Sequence, residues 1–479
     1  MTQQISDLQA DPALAPIVQI VGEKGVIVGD DQTPLLTEWR QRWHGSAVMI
    51  VAPQNRDELC AIVKHCAAKK IAITPQGGNT GLVGGQIPYG HEILISTKRM
   101  RTIESVSVID NTMTVEAGVT LQEAQSAALE ADRFFPLSIG SEGSCQIGGA
   151  ISTNAGGVNV LRYGNMRDLV LGLEAVLPNG EIWNGLHSLR KNNTGYDLKH
   201  LFIGGEGTLG IVTRAVLKLF ARPHQTETVF IGAASADAII ALLPRLQGGS
   251  GGLVSSFELI DEMCINLVLR HIPNTRLPLA QTYPFYGLIE FSAGHGTHLK
   301  PLVETLLAGA IDQGLTSDVA VASNETQRDD FWRLRHHVSQ ALNGEGVGAR
   351  HDVSVPISAI PQFLQTAARA IQQVAPAARI AAFGHVGDGN IHYDIIPPEG
   401  ASKTALDDQR PAIEAAVYDV IAQFGGSISA EHGIGTHKKE ILAKHKDSVE
   451  LAMMHAVKTA IDPHNIMNPG KMLVLPNQR

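Results

Sequence analysis

Ile71-Ala-Ile-Thr-Pro-Gln-Gly-Gly-Asn-Thr-Gly-Leu-Val-Gly-Gly85 is a short apolar strand running into a loop with five glycines in its last eleven residues. Backbone N–H groups in such a loop approach a phosphate closely, because no side chains stand in the way. The Lys-Ser/Thr of a P-loop is missing, so a nucleoside triphosphate is not expected. A plain glycine-rich turn is the competing reading. A second run, Gly140-Ser-Glu-Gly through Gly148-Gly149 to Thr153-Asn-Ala-Gly-Gly157, has side chains small enough for a flat aromatic ring system to lie against backbone. A third, Gly205-Glu-Gly-Thr-Leu-Gly210, matches the dinucleotide fingerprint letter for letter. The next residues, Ile211-Val-Thr-Arg-Ala-Val-Leu-Lys-Leu, read as a strand, so no helix N-terminus meets a pyrophosphate, and a Rossmann NAD site is disfavoured.

Outward from these loops, 479 residues predict two or three domains. A hydrophobic share of 44% against 18% charge supplies ordinary cores. The net charge of -9 without a basic run excludes nucleic acid as the main partner. Cys60, Cys66, Cys145 and Cys264 show no C-x-x-C spacing. Together with an N-terminus lacking a signal-peptide pattern and no apolar window of spanning length, this gives a cytoplasmic expectation.

Along the chain, Ala47–Ala52 reads as a strand and Asn55–Lys69 as a helix with apolar positions at Leu59, Ile62, Val63 and Cys66. Residues 93–118 alternate strand and turn, and Thr120, three residues before Glu123, opens a capped helix. Leu171–Trp183 reads as two strands around Pro178-Asn-Gly180. The character changes near Arg222-Pro223-His224. Beyond it, apolar strands alternate with helices such as Ser235–Leu243, stopped by Pro244, and Leu299–Gln313, the pattern of an α+β domain with an antiparallel sheet. Residues 401–424 read as a helix, and Asp462–Met472 as a turn-rich closing segment.

Gly384-His-Val-Gly-Asp-Gly-Asn-Ile-His-Tyr-Asp394 carries the densest chemistry. Gly387-Asp-Gly-Asn is strong turn chemistry between two apolar strands. If that four-residue turn closes a hairpin, His385 pairs with His392, with Cβ atoms about 5 Å apart. Asp394 shares the face of His392. Two imidazoles so placed can hold one metal ion but need a third ligand, usually a carboxylate. Glu431, in S-I-S-A-E-H-G-I-G, is the best candidate. Solvated histidines on a glycine-rich hairpin are the bland alternative.

Taken in order, P-Q-G-G-N-T-G-L-V-G-G, I-G-G-A-I-S-T-N-A-G-G, G-G-E-G-T-L-G-I-V-T, G-H-V-G-D-G-N-I-H, A-E-H-G-I-G and N-I-M-N-P-G-K resemble the FAD-dependent D-2-hydroxy acid dehydrogenases of the vanillyl-alcohol-oxidase superfamily. That group holds D-lactate, D-2-hydroxyglutarate and glycolate dehydrogenases, and the resemblance runs from about Val48 to Met472. It implies an α+β protein with a PCMH-type FAD-binding domain over 1–222 and a substrate, or cap, domain over 223–424 carrying the antiparallel sheet and the metal hairpin. A C-terminal segment, 425–479, would return to the FAD domain. Pro75, Gly77, Gly78, Asn79, Thr80 and Gly81 would hold the FAD pyrophosphate. Gly140, Gly143, Gly148, Thr153, Asn154 and Gly156, with Gly207, Ile211 and Val212, would line the flavin and its ribityl chain, and Asn468 would lie near the cofactor. Some members attach FAD through a histidine in the first loop. Asn79 and Thr80 stand there in this chain, so noncovalent FAD is expected.

The resemblance further implies a divalent metal, usually zinc, on His385, His392 and Glu431, with His432 as the base. Oxidising D-2-hydroxyglutarate or D-lactate to the 2-oxo acid requires a held carboxylate, a more acidic hydroxyl, a proton acceptor and a hydride acceptor. Arg335, Ser339 and Arg350 match an arginine, a threonine and a lysine that face the substrate in the 2-hydroxyglutarate relatives. Asp394 departs from the asparagine that relatives often carry. Its extra carboxylate would repel a second substrate carboxylate or act as a ligand. His336, His337 and His351 are assigned structural or surface roles. An electron-transfer flavoprotein, a quinone or a cytochrome is compatible as electron acceptor, with peripheral membrane contact through it, and so is a homodimer. Two other classes compete. A metal-dependent hydrolase would leave the glycine-rich loops unused, and a flavin-binding protein without dehydrogenase activity would not need His432.

Overall fold

The side chain of Asn55 accepts a hydrogen bond from the Glu58 N–H and caps the helix Arg56–Lys69, whose Leu59, Ile62, Val63 and Cys66 are all buried. One apolar stripe at helical spacing therefore faces a core. The computed structural model describes residues 2–474, and these fall into two compact units. The first comprises the chain up to Gly156, Asn165–Arg222 and the segment from His432 onward. The second comprises Gly157–Gly164 and Pro223–Glu431.

In the first unit the capped helix joins β1 (Met49–Val51) to β2 (Ala72–Gln76), and β3 (Glu92–Ser96) lies between them in a parallel sheet of order β1-β3-β2. Ile17, Leu59, Ile62, Ile73, Ile93 and Met467 are among the buried side chains of its core. Further along come β4 (Ile103–Ser107), β5 (Thr112–Glu116), β6 (Arg133–Phe134), β7 (Val170–Val176), β8 (Ile182–Gly185), β9 (Ile211–Lys218) and β10 (Phe220–Ala221). Five of them form an antiparallel sheet of order β4-β5-β9-β7-β8, and β6 pairs with β10. Thr120 and Glu123 close the expected capping box on helix Leu121–Glu130. The fingerprint-like Gly205–Gly210 is indeed succeeded by strand β9 rather than by a helix. The returning segment docks on β2: the Ile73 N–H donates to Ile466 O and the Asn468 N–H to Ile73 O, both at 2.7 Å.

The second unit is built on β11 (Gln225–Ala233), β12 (Val254–Asp261), β13 (Phe285–Ala293), β14 (Asp318–Val321), β15 (Ala349–Ser354), β16 (Arg379–Gly384) and β17 (Asn390–Ile396). They make one antiparallel sheet of order β14-β11-β13-β12-β16-β17-β15. Phe230, Ile260, Tyr286, Leu288, Ala381 and Phe383 share a core with Leu267 and Val268 of helix Glu262–His271, Phe331 and Leu334 of Glu325–His336, and Val338 and Leu342 of Val338–Glu345. Each of the Phe, Ile, Leu and Val side chains among them contributes about 1.5–3 kcal/mol on burial.

Three local expectations change. Pro244 does not stop its helix, which runs from Ala236 to Gly249; buried Ile239, Leu242, Leu243 and Leu246 hold both sides of the proline and outweigh the lost backbone hydrogen bond. The helix expected over 401–424 is shorter, Arg410–Gln423, because turns and a 3-10 segment occupy its first part. Residues 425–431 stay with the second unit, where Ser427 exchanges backbone hydrogen bonds with Ser354 of β15, and the return to the first unit begins at His432.

Candidate active site

The β16–β17 hairpin differs in register from the sequence expectation. Phe383, not His385, stands opposite His392. β16 ends at Gly384, and residues 385–389 form a longer turn in which the N–H groups of Asp388 and Asn390 both donate to His385 O. The turn is anchored to β12 by the Gly387 N–H donating to Phe257 O at 3.1 Å. Gly389 needs its residue type, since φ is +91° and a Cβ there would stand 2.5 Å from Val355 O.

The histidines still meet. Their ring centroids lie 5.8 Å apart, edge to face. Glu431 arrives along the edge of β15: Ala430 N donates to Asp352 O and Glu431 N to the Asp352 carboxylate at 3.0 Å. One ligand atom from each of His385, His392 and Glu431 lies within 4.8 Å of the others, and His385 Nε2 is 3.6 Å from Glu431 Oε1. Two imidazoles and a carboxylate at such spacing suit zinc, manganese or iron(II), whose bonds to these donors are about 2.0–2.2 Å. The residues fit a divalent metal.

Two further carboxylates come from elements that the hairpin sequence does not announce. Glu258 of β12 is wholly buried; its Oε1 accepts from His385 Nδ1 and its Oε2 from Arg335 Nε, each at 2.6 Å. The only local signal is a charge inside the apolar run Phe257-Glu-Leu-Ile260. Asp352 of β15 stands opposite His392, accepts from Asn390 Nδ2 at 3.0 Å and lies 4.0 Å from His392 Nδ1. Burial would raise the Glu258 carboxyl, yet His385 and Arg335 bring it down to about 2. Burial would lower the imidazole of His385, but the charges of Glu258 and Glu431 raise it to about 9. Glu431 is pushed up by burial and by the neighbouring Asp352 and Asp388, against the pull of His385.

Arg335 is buried. Its Cζ lies 4.9 Å from the centre of the Phe383 ring, and with Nε given to Glu258 its terminal nitrogens have no hydrogen-bond partner among the described residues. Ser339 is half-buried on the next helix, after a break at His337. Arg350 and Asp394 face each other across β15 and β17, 3.7 Å apart, and Arg350 Nη2 also donates to Asn343 Oδ1. Asp394 is therefore an ion-pair partner and stands outside the three-residue cluster. His351 is buried with Nδ1 on Tyr393 O, a structural role.

In the first unit the glycine-rich runs come together. A Cβ on Gly78 would overlap Ser144 O at 1.8 Å, so the first loop packs directly on the second run. Gly77 lies by Gln146 and Gly149, Gly148 by Ala117, and Gly207 by Pro75. Asn79 Nδ2 donates to Pro34 O and Thr37 O, while Gln86 Nε2 bridges Asn79 Oδ1 and Gly81 O. Thr80 is in hydrogen-bond reach of Cys145. Thr153 Oγ1 donates to Gly149 O, and Asn154 Oδ1 accepts from Arg167 N. Gly140 and Gly149 border open space, Gly143 lies by Gln122, and Gly156 is the last residue of this stretch of the unit. Ile211 and Val212 are buried at the start of β9, opposite Val176 and Ala175. Asn468 Nδ2 donates to Gly85 O and Glu206 O, whereas its buried Oδ1 has no partner among the described residues, an acceptor available to a ligand. Backbone-lined loops with a free buried acceptor fit FAD. His432 opens the returning segment of this unit. Glu206, missed by the sequence reading, fixes that segment by accepting from Ile434 N and Gly435 N at 2.7 and 2.8 Å.

No helix among the described residues is long and apolar enough to cross a membrane. The chain matches the family described as FAD linked oxidases, C-terminal domain, over residues 222–472, and that described as FAD binding domain over residues 47–185. It is 38% identical over 436 residues to the mitochondrial D-2-hydroxyglutarate dehydrogenase of Danio rerio, covering 91% of this chain and 80% of that protein. The D-2-hydroxyglutarate dehydrogenase of Xanthomonas citri pv. viticola is 34% identical over 435 residues, 91% of each chain. Among solved structures, p-cresol methylhydroxylase superposes with a TM-score of 0.73 at 16% identity, covering 98% of this chain and 97% of that one, a likeness of fold alone. The expected α+β class, with an FAD-binding domain and a C-terminal domain on a large antiparallel sheet, stands, and the chain belongs to the FAD-linked oxidases as an FAD-dependent oxidoreductase of the D-2-hydroxyglutarate dehydrogenase family.

Proposed function

We propose that this protein oxidises a D-2-hydroxy acid, D-2-hydroxyglutarate first among them, to the 2-oxo acid, using noncovalent FAD and a divalent metal, zinc by preference. The observation that carries the reading is the convergence of His385, His392 and Glu431 beside a buried arginine with free terminal nitrogens. When bound, the metal supplies Lewis acidity at the substrate hydroxyl and the flavin supplies a hydride acceptor. The chain does the rest. Arg335 offers a planar pair of N–H donors to the substrate carboxylate, the geometry in which guanidinium binds carboxylates most strongly. His432, next in sequence to the ligand Glu431, takes the hydroxyl proton. Ser339 and Arg350 serve the remainder of the substrate. Asp394 does not oppose a dicarboxylate, because its charge is met by Arg350.

The test is anaerobic flavin bleaching with D- and L-2-hydroxy acids of different lengths. D-2-Hydroxyglutarate is expected to bleach the flavin and its L-isomer to leave it oxidised. Failure of every D-acid to bleach the FAD-loaded protein refutes the activity. A purified protein that shows no flavin absorbance even after FAD addition refutes the cofactor.

A further inference from the structure

Glu258 spends one buried charge on two donors. Its Oε1 accepts from His385 Nδ1 and its Oε2 from Arg335 Nε, each at 2.6 Å, and the remaining bond, from Ser256 Oγ to Oε1, is longer at 3.3 Å. The strong partners come from separate elements: His385 from the turn after β16, and Arg335 from helix Glu325–His336. No sequence neighbourhood joins them, so their relative placement depends on what lies between. A carboxylate bound to Nδ1–H leaves Nε2 as the only nitrogen of His385 able to face Glu431, which it does at 3.6 Å. Arg335 is anchored through Nε, its Cζ 4.9 Å from the centre of the Phe383 ring, and its terminal nitrogens have no hydrogen-bond partner among the described residues. The two groups act on adjacent functions of a 2-hydroxy acid, whose hydroxyl and carboxylate sit on neighbouring carbons, so an error in their spacing weakens both contacts.

We propose that Glu258 is a positioning residue that ties the metal-binding half of the site to the carboxylate-binding half, fixing His385 and Arg335 in one register. This rests on the metal and carboxylate roles proposed above. An uncharged amide cannot replace it. A glutamine oxygen accepts from one donor, and its NH₂ then confronts the other N–H.

The experiment uses the full-length, FAD-loaded protein and its Glu258→Gln variant, read by zinc titration against a chromogenic chelator and by the substrate dependence of anaerobic flavin reduction. Expected are a loss of zinc affinity of about 10–100-fold and a rise of about tenfold or more in the half-saturating concentration of the hydroxy acid, with FAD content unchanged. In an Arg335→Ala background, Glu258→Gln is expected to weaken zinc still, but to change substrate half-saturation by a smaller factor than it does with Arg335 in place. A Glu258→Gln protein with normal zinc affinity and normal half-saturation overturns the proposal. So does a half-saturation effect that persists undiminished without Arg335. A wild-type protein that binds no zinc refutes the metal reading itself, while the arginine comparison still tests Glu258. Should Glu258→Gln not fold, NMR of the wild-type protein decides: a solvent-protected downfield imidazole N–H, lost in His385→Ala, is expected, and its absence overturns the proposal.

Discussion

His385 is the residue on which a proton and the proposed metal would compete. Metal-free, it keeps its second proton up to about pH 9, since Glu258 and Glu431 outweigh burial. A metal ligand must present Nε2 without that proton, so binding expels it. Raising the pH towards 9 removes the competitor, and zinc affinity is expected to climb about tenfold per pH unit between about 7 and 9, more steeply below about 7 where Glu431 also carries a proton, and to level off above 9. Zinc titrations across a pH series check this, and a pH-independent affinity contradicts it. At this scale the sequence was informative for His385 and His392, which share one short glycine-rich stretch. It was silent on Glu258, because nothing local links β12 to the hairpin; only the strand order of the sheet makes them neighbours. Asp394 was legible as a charge but not as the partner of Arg350, because that pairing depends on the register of β15 against β17.

Among elements, the hairpin teaches most. Turn chemistry located it correctly, but a two-residue error in register came from assuming that the four residues Gly387–Asn390 make the whole turn. The observed turn is longer because Gly387 docks on β12 and Gly389 fits under Val355 O. Gly389→Ala puts a side chain at φ +91° and 2.5 Å from that oxygen. It should destabilise the protein by about 1–3 kcal/mol and weaken metal binding, because the displaced turn carries His385. Thermal melting with zinc titration measures both, and a variant with unchanged melting and zinc affinity removes the turn from the account. The capping box on Leu121–Glu130 was readable from Thr120 and Glu123 alone, whereas the passage of a helix through Pro244 was not, since tertiary burial on both sides decides it.

For the whole molecule, a buried carboxylate of the first unit carries part of the stability. Glu174 of β7 is fully buried in the first unit, where it accepts from Arg214 Nη2 at 2.7 Å and Nε at 3.1 Å, from Thr213 Oγ1 at 2.8 Å and from Arg56 Nη1 at 3.3 Å. Burial pushes this carboxyl up, but Arg214 and Thr213 hold it below the ordinary range. A depressed pKa contributes stability above the unfolded value of about 4.3, lost as the pH falls through the lower folded value. Glu174→Gln should therefore cost about 3–5 kcal/mol at neutral pH, a gap that narrows below about pH 4. Chemical denaturation at several pH values reads it, and a gap independent of pH contradicts the assignment. The central claim concerns turnover: the FAD-dependent oxidation requires a metal on His385, His392 and Glu431. Its most direct test is stopped-flow reduction of the FAD-loaded protein by D-2-hydroxyglutarate after chelator treatment, with and without added zinc. Flavin reduction should be abolished by metal removal and restored by zinc in the wild type, but not restored in His385→Ala. Reduction at an unchanged rate in metal-free protein would contradict the account.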